Sequence, residues 1–188
     1  KDIAAKEETI VEVELTRVQK KFYKALLHEN ARVLLKQITN GSIPSLLNLM
    51  MQLRKVCNHP YLIKGAKESI IEEKKAENPD IEQNKLLFNA LTESSGKMVL
   101  IQKLLPKLKK DGHKVLIFSQ MVKMLDLIEQ YLIMCGYGYG RIDGSVDEID
   151  RANEIERFSN DPDLFVFLLS TKAGGVGINL TTADTVIL

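Results

Sequence analysis

Apolar positions change their spacing along the 188-residue chain, and the change divides it into a front and a back part. In residues 9–15, Val11, Val13 and Leu15 alternate with Glu12 and Glu14, the period of a half-buried strand. Thr16 and, three residues later, Gln19 form a capping box. Val18, Phe22, Ala25, Leu26, Val33 and Leu34 then recur at helical spacing, predicting a long amphipathic helix. After the Asn40-Gly41 break, Ser42 and Pro44 suit a helix start. The stripe Leu46, Leu47, Met50, Leu53 and Val56 continues to a helix end at His59-Pro60. Residues 64–95 are polar, carry Asn78-Pro79 and hold one apolar cluster at 86–91, which predicts a long connector with a small helix.

From Gly96 onward, helical patterns over 98–110, 121–134 and 146–158 alternate with short apolar runs: VLIF from Val115, FVFLL from Phe165, TVIL from Thr185. Runs that are apolar on both faces and separated by helices predict a parallel sheet covered on both sides. Gly112 and Gly136 stand where helices should stop. The fold class is therefore α/β in three layers, preceded by a helical part. Met50, Met51, Met121, Met124 and Met134 sit on apolar helix faces and read as core.

Composition narrows the class. With 45% hydrophobic and 27% charged residues, the chain can bury one sizeable core like an ordinary globular domain. Its apolar runs are too short for a bilayer and its start lacks a signal-peptide core, so a soluble intracellular protein without a membrane partner is expected. Cys57 and Cys135 predict neither a disulfide framework nor a zinc site, and Cys57 with His59 falls two ligands short of a zinc set. A net charge of +1 gives no argument for nucleic acid. The lysines at 97, 103, 107, 109, 110 and 114 read as a solvated helix face.

In an open parallel sheet the ligand site lies beyond the carboxyl ends of the strands. Those positions hold Ser119-Gln120, Asp143-Gly144-Ser145, and the segment from Ser170 through Thr171, Lys172, Ala173, Gly174, Gly175, Val176, Gly177 and Ile178 to Asn179. Glycines that allow close backbone approach, with hydroxyls and a cation, suit phosphate oxygens. Neither G-x-x-x-x-G-K-[ST] nor G-x-G-x-x-G is present, so the segment alone reads equally as a glycine-rich strand-to-helix turn. Asp147, Glu148 and Asp150 read as first-turn helix acids and His113 as a loop residue.

Taken together, GHKVLIFSQMVKMLDLIEQYL, RIDGS and RFSNDPDLFVFLLSTKAGGVGINLTTADTVIL closely resemble the second motor lobe of Swi/Snf-type remodelling ATPases. VEVELTRVQKKFYKALLHEN and SLLNLMMQLRKVCNHPYLIKGA resemble the inter-lobe segment of the chromodomain-helicase group, with the imitation-switch group next. The resemblance implies a RecA-like parallel sheet with helices on both faces, truncated at its C-terminal end and preceded by a helical protrusion. It places an inter-lobe segment with protrusion and connector in 1–95 and an incomplete helicase C-terminal lobe in 96–188. It implies a nuclear, DNA-dependent ATPase, one of two lobes that close over ATP and Mg and translocate double-stranded DNA on nucleosomes. Most of the nucleotide contacts would come from a first lobe.

The site residues follow from the resemblance. Ser119 and Gln120 match motif IV; Arg141, Asp143 and Gly144 match the next strand-end motif; Ser170, Thr171, Lys172, Ala173 and Gly174 open motif V. All are expected along the DNA track, while Gly175, Gly177 and Asn179 are expected near the nucleotide. Two departures stand out. Lys172 replaces the family's usual arginine, exchanging a bidentate fork for a point charge. The sequence also ends at Leu188, before the D-W-N-P stretch and the Q-x-x-R-x-x-R-x-G-Q arginines, and contains no Walker A or B motif. The fragment alone is expected to hydrolyse no ATP. A DEAD-box-type helicase lobe, a dinucleotide-binding enzyme and a non-catalytic scaffold are the rival readings.

Overall fold

The computed structural model describes residues 6–30, 43–174 and 180–188. The front part consists of α1 (Arg17–Glu29), α2 (Ile43–Asn58), a 3-10 turn (Pro60–Leu62), α3 (Ala66–Glu77) and α4 (Gln83–Thr92). The back part follows as α5 (Gly96–Lys110), β1 (Val115–Ser119), α6 (Val122–Met134), β2 (Gly138–Ile142), α7 (Glu148–Asn160), β3 (Leu164–Ser170), the single turn α8 (Thr171–Gly174) and β4 (Thr185–Ile187). No helix among the described residues is long and apolar enough to cross a membrane.

The strands form one sheet in the order β2-β3-β1-β4 with every neighbouring pair parallel, as the uninterrupted apolar runs predict. All seven residues of β3 are buried, which explains why its run shows no alternation. Phe165 and Leu168 join Val115 and Ile117 in a core with Met98, Leu105 and Leu125 from α5 and α6. On the other face Phe167 and Leu169 join Leu116, Ile142 and Phe158 of α7. Helices α5 and α6 close by the same Schellman pattern. The amide of Gly112 donates to the Lys109 carbonyl and that of His113 to the Leu108 carbonyl, repeated by Gly136 to Ile133 and Tyr137 to Leu132. Asp147 caps α7 by accepting from the Asp150 amide, with Glu148 and Asp150 in the first turn.

Three expectations are corrected. Residues 9–15 have no sheet partner among the described residues: they carry no regular secondary structure and Ile10 is 88% exposed, so strand-like alternation has not produced a strand. The connector over 64–95 contains two helices, α3 and α4. The second, α4, is the small helix that the cluster at 86–91 predicts, with Leu86, Ala90, Leu91 and Thr92 buried; α3 is the addition, and its two buried residues, Ala66 and Ile70, are hidden among Lys and Glu. Met50, Met51 and Met134 are exposed, because α2 buries its Leu49 and Val56 side and Met134 is the solvent-facing last residue of α6. Helix α1 caps at Asn30, and Val33 and Leu34 lie outside the described residues.

One side chain joins the two parts. Gln19 is buried, and its Oε1 accepts from the amides of Thr16 (3.1 Å) and Gly96 (3.0 Å) while its Nε2 donates to the carbonyls of Val56 (2.8 Å) and Cys57 (3.1 Å). The capping box is present, but its glutamine also ties the start of α1 to the end of α2 and the start of α5. Around it, the Thr16 hydroxyl donates to the Ser94 carbonyl, and the Ser95 hydroxyl donates to that of Asn58 at 2.7 Å. His59, fully buried, serves as the cap of the 3-10 turn: as the neutral tautomer its Nε2–H donates to the Leu91 carbonyl (2.8 Å), and Nδ1 accepts from the Tyr61 amide (3.0 Å).

Gln19→Leu keeps the volume but strands two amides and two carbonyls in a dry site. Its expected cost is about 3–5 kcal/mol in urea denaturation, with lost exchange protection at the Gly96 amide. A second expectation concerns pH. Burial pushes the His59 imidazole down to about 4, overriding the Leu91 carbonyl bond. The unfolded chain takes up the proton near 6.5 and the folded chain resists it. Stability should therefore fall as pH drops from about 6.5 toward 4, by at most about 3 kcal/mol, and His59→Gln should remove this component from urea midpoints measured across that window.

Candidate nucleic-acid interface

Because all four strands run parallel, their carboxyl ends emerge along one edge of the sheet. There the ends of β1, β3 and β4 face α2 and α1 across a groove of about 740 Å³. Its sheet-side wall carries Ser119, Gln120 and Thr171; its helix-side wall carries Tyr23, Leu53, Arg54 and Asn58, and Lys97 of α5 lines it as well. Three residues assigned to the DNA track by resemblance are thus brought together. Two cations face the groove, and among its described lining residues none has an acidic side chain.

Each polar group has a definite setting. Arg54 Nη2 donates to Gln120 Oε1 at 2.8 Å across the groove, and Lys97 Nζ donates to Asn58 Oδ1 at 2.8 Å. The Ser119 hydroxyl is taken up in its own turn, accepting from the Met121 amide at 3.1 Å. Ser170 is buried and accepts from the Ala173 amide at 3.2 Å, so it shapes the strand-to-helix turn from within. Thr171 and Lys172 are exposed on that turn, while Ala173 is buried against the Phe158 and Phe167 core. Gly174 ends α8; Gly175, Gly177 and Asn179 lie outside the described residues.

Arg141, Asp143 and Gly144 are not part of the groove. On the edge strand β2, the Arg141 guanidinium is enclosed by Asp126 (2.6 Å), Glu129 (2.7 Å) and Asp143 (2.7 Å). Desolvation alone would lower its pKa, but hydrogen bonds to Asp126 and Asp143 with the charges of Glu129 and Asp126 raise it. The buried Asp143 carboxylate accepts from the Ser145 hydroxyl (2.6 Å) and amide (2.9 Å); those bonds, reinforced by Arg141, hold it at about 2 against the pull of burial. The exposed Gly144 completes the turn between Asp143 and Ser145. As arranged, the cluster is a self-satisfied brace for the loop between β2 and α7.

The sequence reading passed over Arg54, Tyr23 and Asn58, and it took Lys97 for part of a solvated helix face. Arg54 follows Leu53 directly on α2, and a cation on the shoulder of an apolar stripe was the one available sign. Which wall it would face depends on the docking of α2 against the sheet, beyond reach of spacing.

The helicase conserved C-terminal domain family matches residues 96–188 and the SNF2-related domain family residues 1–62. A solved structure described as the C-terminal part of the Fun30 ATPase domain superposes with a TM-score of 0.68 at 32% identity, covering 94% of this chain and 72% of that one. The chain belongs to the SWI2/SNF2 family of ATPases. Within this family, human chromodomain-helicase-DNA-binding protein 7 is 56% identical over 193 residues, taking in all of this chain and 6% of that protein. The chain therefore spans a small fraction of the length of the curated relatives it matches. The Sulfolobus solfataricus SWI2/SNF2 ATPase core in complex with dsDNA shares the fold, with a TM-score of 0.69 at 24% identity over 93% of this chain and 32% of that one. The α/β sheet is accordingly the RecA-like C-terminal lobe of a SWI2/SNF2 ATPase domain.

The brace on β2 yields a ranked expectation. Asp143→Ala removes the acceptor of two Ser145 donors and the most buried partner of Arg141, and should destabilise by about 2 kcal/mol. Asp126→Ala, at the solvent-exposed end, should cost less than about 1 kcal/mol. Thermal or urea denaturation of the two variants measures the order.

Proposed function

We propose that this chain supplies part of the DNA-backbone grip of a nuclear, ATP-driven translocase that remodels nucleosomes. The observation that carries the reading is the groove, where Ser119 and Gln120 from the end of β1 and Thr171 from the end of β3 meet Arg54 and Lys97 without a facing carboxylate side chain. A cluster of donors and cations open to solvent suits phosphate oxygens and gives sequence-independent affinity. Two likenesses support it: the Sulfolobus core is a complex with dsDNA, and the human relative is by name a chromodomain-helicase-DNA-binding protein.

On this reading Thr171 and Lys172, exposed at the head of the glycine-rich segment, hold the backbone, and Ser170 and Ala173 set the turn that presents them. Gly175, Gly177 and Asn179 further along remain the assigned nucleotide contacts. ATP with Mg would be held mainly by a first lobe, and closure of the two lobes would supply the hydrolytic site. Arg141 and Asp143, bound to each other, support the neighbouring turn rather than offer free donors.

Lys172→Ala in the two-lobed motor should reduce the slope of log affinity against log salt by about one unit and weaken all duplex sequences alike. Thr171→Val should weaken binding with the slope unchanged, since it removes a hydrogen bond but no charge. Wild-type affinity and slope in both variants on random duplex DNA would end the assignment.

A further inference from the structure

We infer that Arg54 is a DNA-phosphate ligand contributed by the helical protrusion, so that the DNA grip is shared between protrusion and sheet. The inference rests on the proposed reading that the groove holds DNA. Arg54 is exposed on α2 and reaches across to the sheet side, where its partner is the neutral amide oxygen of Gln120 at 2.8 Å. Compare Arg141, whose guanidinium is enclosed by three carboxylates. A guanidinium bonded to a neutral acceptor keeps its charge uncompensated and gains by exchanging that partner for a phosphate, which adds the counter-charge and a bidentate fit.

The surroundings fit that exchange. Gln120 is exposed and on the strand-end turn with Ser119, so its amide can turn from Arg54 to a phosphate oxygen through its NH2 group. Lys97 stands in the same groove with its ammonium on Asn58 Oδ1, again a neutral acceptor, and adds a second positive charge. The apolar walls, Leu53 and Phe118 among them, lower the local dielectric and strengthen attraction to an anion. Because α2 is fastened to α1 and α5 through Gln19, the guanidinium arrives at a fixed place relative to the strand ends.

The test is carried out in the two-lobed motor on random-sequence duplex DNA across a salt series, without nucleotide. Arg54→Gln should lower the salt slope by about one unit and weaken binding by roughly tenfold near 0.1 M salt. Arg54→Lys should retain the slope with a smaller loss, and Gln120→Ala should leave the slope unchanged. The same loss in Arg54→Gln and Gln120→Ala, no worse in the double variant and with no slope change, would make Arg54 a mere tether of Gln120 and overturn the inference. A drop in nucleotide affinity with DNA affinity intact would overturn it as well, assigning the guanidinium to ATP. Thr171→Val and Lys172→Ala, measured alongside, separate the two claims. If they weaken binding while Arg54→Gln does not, the groove reading survives and this inference fails. If Arg54→Gln alone lowers the slope, Arg54 is a ligand and the motif V assignment fails; if none has an effect, both fall.

Discussion

The buried amide of Gln19 has two oxygen lone pairs and two N–H donors, and all four are used on backbone groups of three different helices. Such a group cannot be replaced by water without opening the junction, and each backbone partner would cost desolvation free energy if left unpaired. That constraint holds the protrusion at one angle to the sheet. The groove at the strand ends is the space left between α2 and the sheet edge at that angle, so its walls are a consequence of one amide placed in the first turn of α1. Thr16, Ser95 and His59 reinforce the junction, each through a hydrogen bond to the main chain. Bonds to main chain specify position more tightly than contacts between flexible side-chain ends.

Charge is sorted along the same edge. At β2, three carboxylates surround one guanidinium, and the buried one among them is held ionised by Ser145 and Arg141. At β1, β3 and β4, a guanidinium and an ammonium face neutral amides and hydroxyls. The first arrangement is satisfied internally and spends its charge on geometry. The second leaves positive potential directed into open solvent, the condition for holding a polyanion. Both ends contain an arginine in a family motif or beside one, and only the partners reveal the difference.

Much of the fold was legible. Unbroken apolar runs gave β1, β3 and β4, the 3.6 period gave α1, α2 and α5 to α7, and the glycines at 112 and 136 mark real Schellman ends. Errors arose where local pattern and tertiary context disagree. Residues 9–15 alternate like a strand yet have no sheet neighbour among the described residues, and α3 buries only Ala66 and Ile70, too few to show an amphipathic stripe, whereas α4 sits on the apolar cluster at 86–91. Of the site, the strand-end positions Ser119, Gln120 and Thr171 were accessible from the rule that ligands sit at carboxyl ends, and the resemblance agreed. Arg54 was not, because it belongs to a helix 66 residues from Gln120 in sequence, and no period or motif links the two.

Thr171 stands at a mechanically useful point. It lines the groove, and it is the first residue of the short turn that leads into the glycine-rich segment holding Gly175, Gly177 and Asn179. Behind it, Ser170 is fixed in the sheet by pairing with Ser119 and by its own bond to the Ala173 amide, so the strand side cannot yield. Were the nucleotide contacts proposed for that segment to change on hydrolysis, the Thr171 hydroxyl at its head would move relative to Arg54, which the Gln19 junction holds in place. On the proposed reading, a grip shared by Arg54 on the protrusion and Thr171 at the sheet edge gives a translocating motor two backbone contacts carried on separate elements.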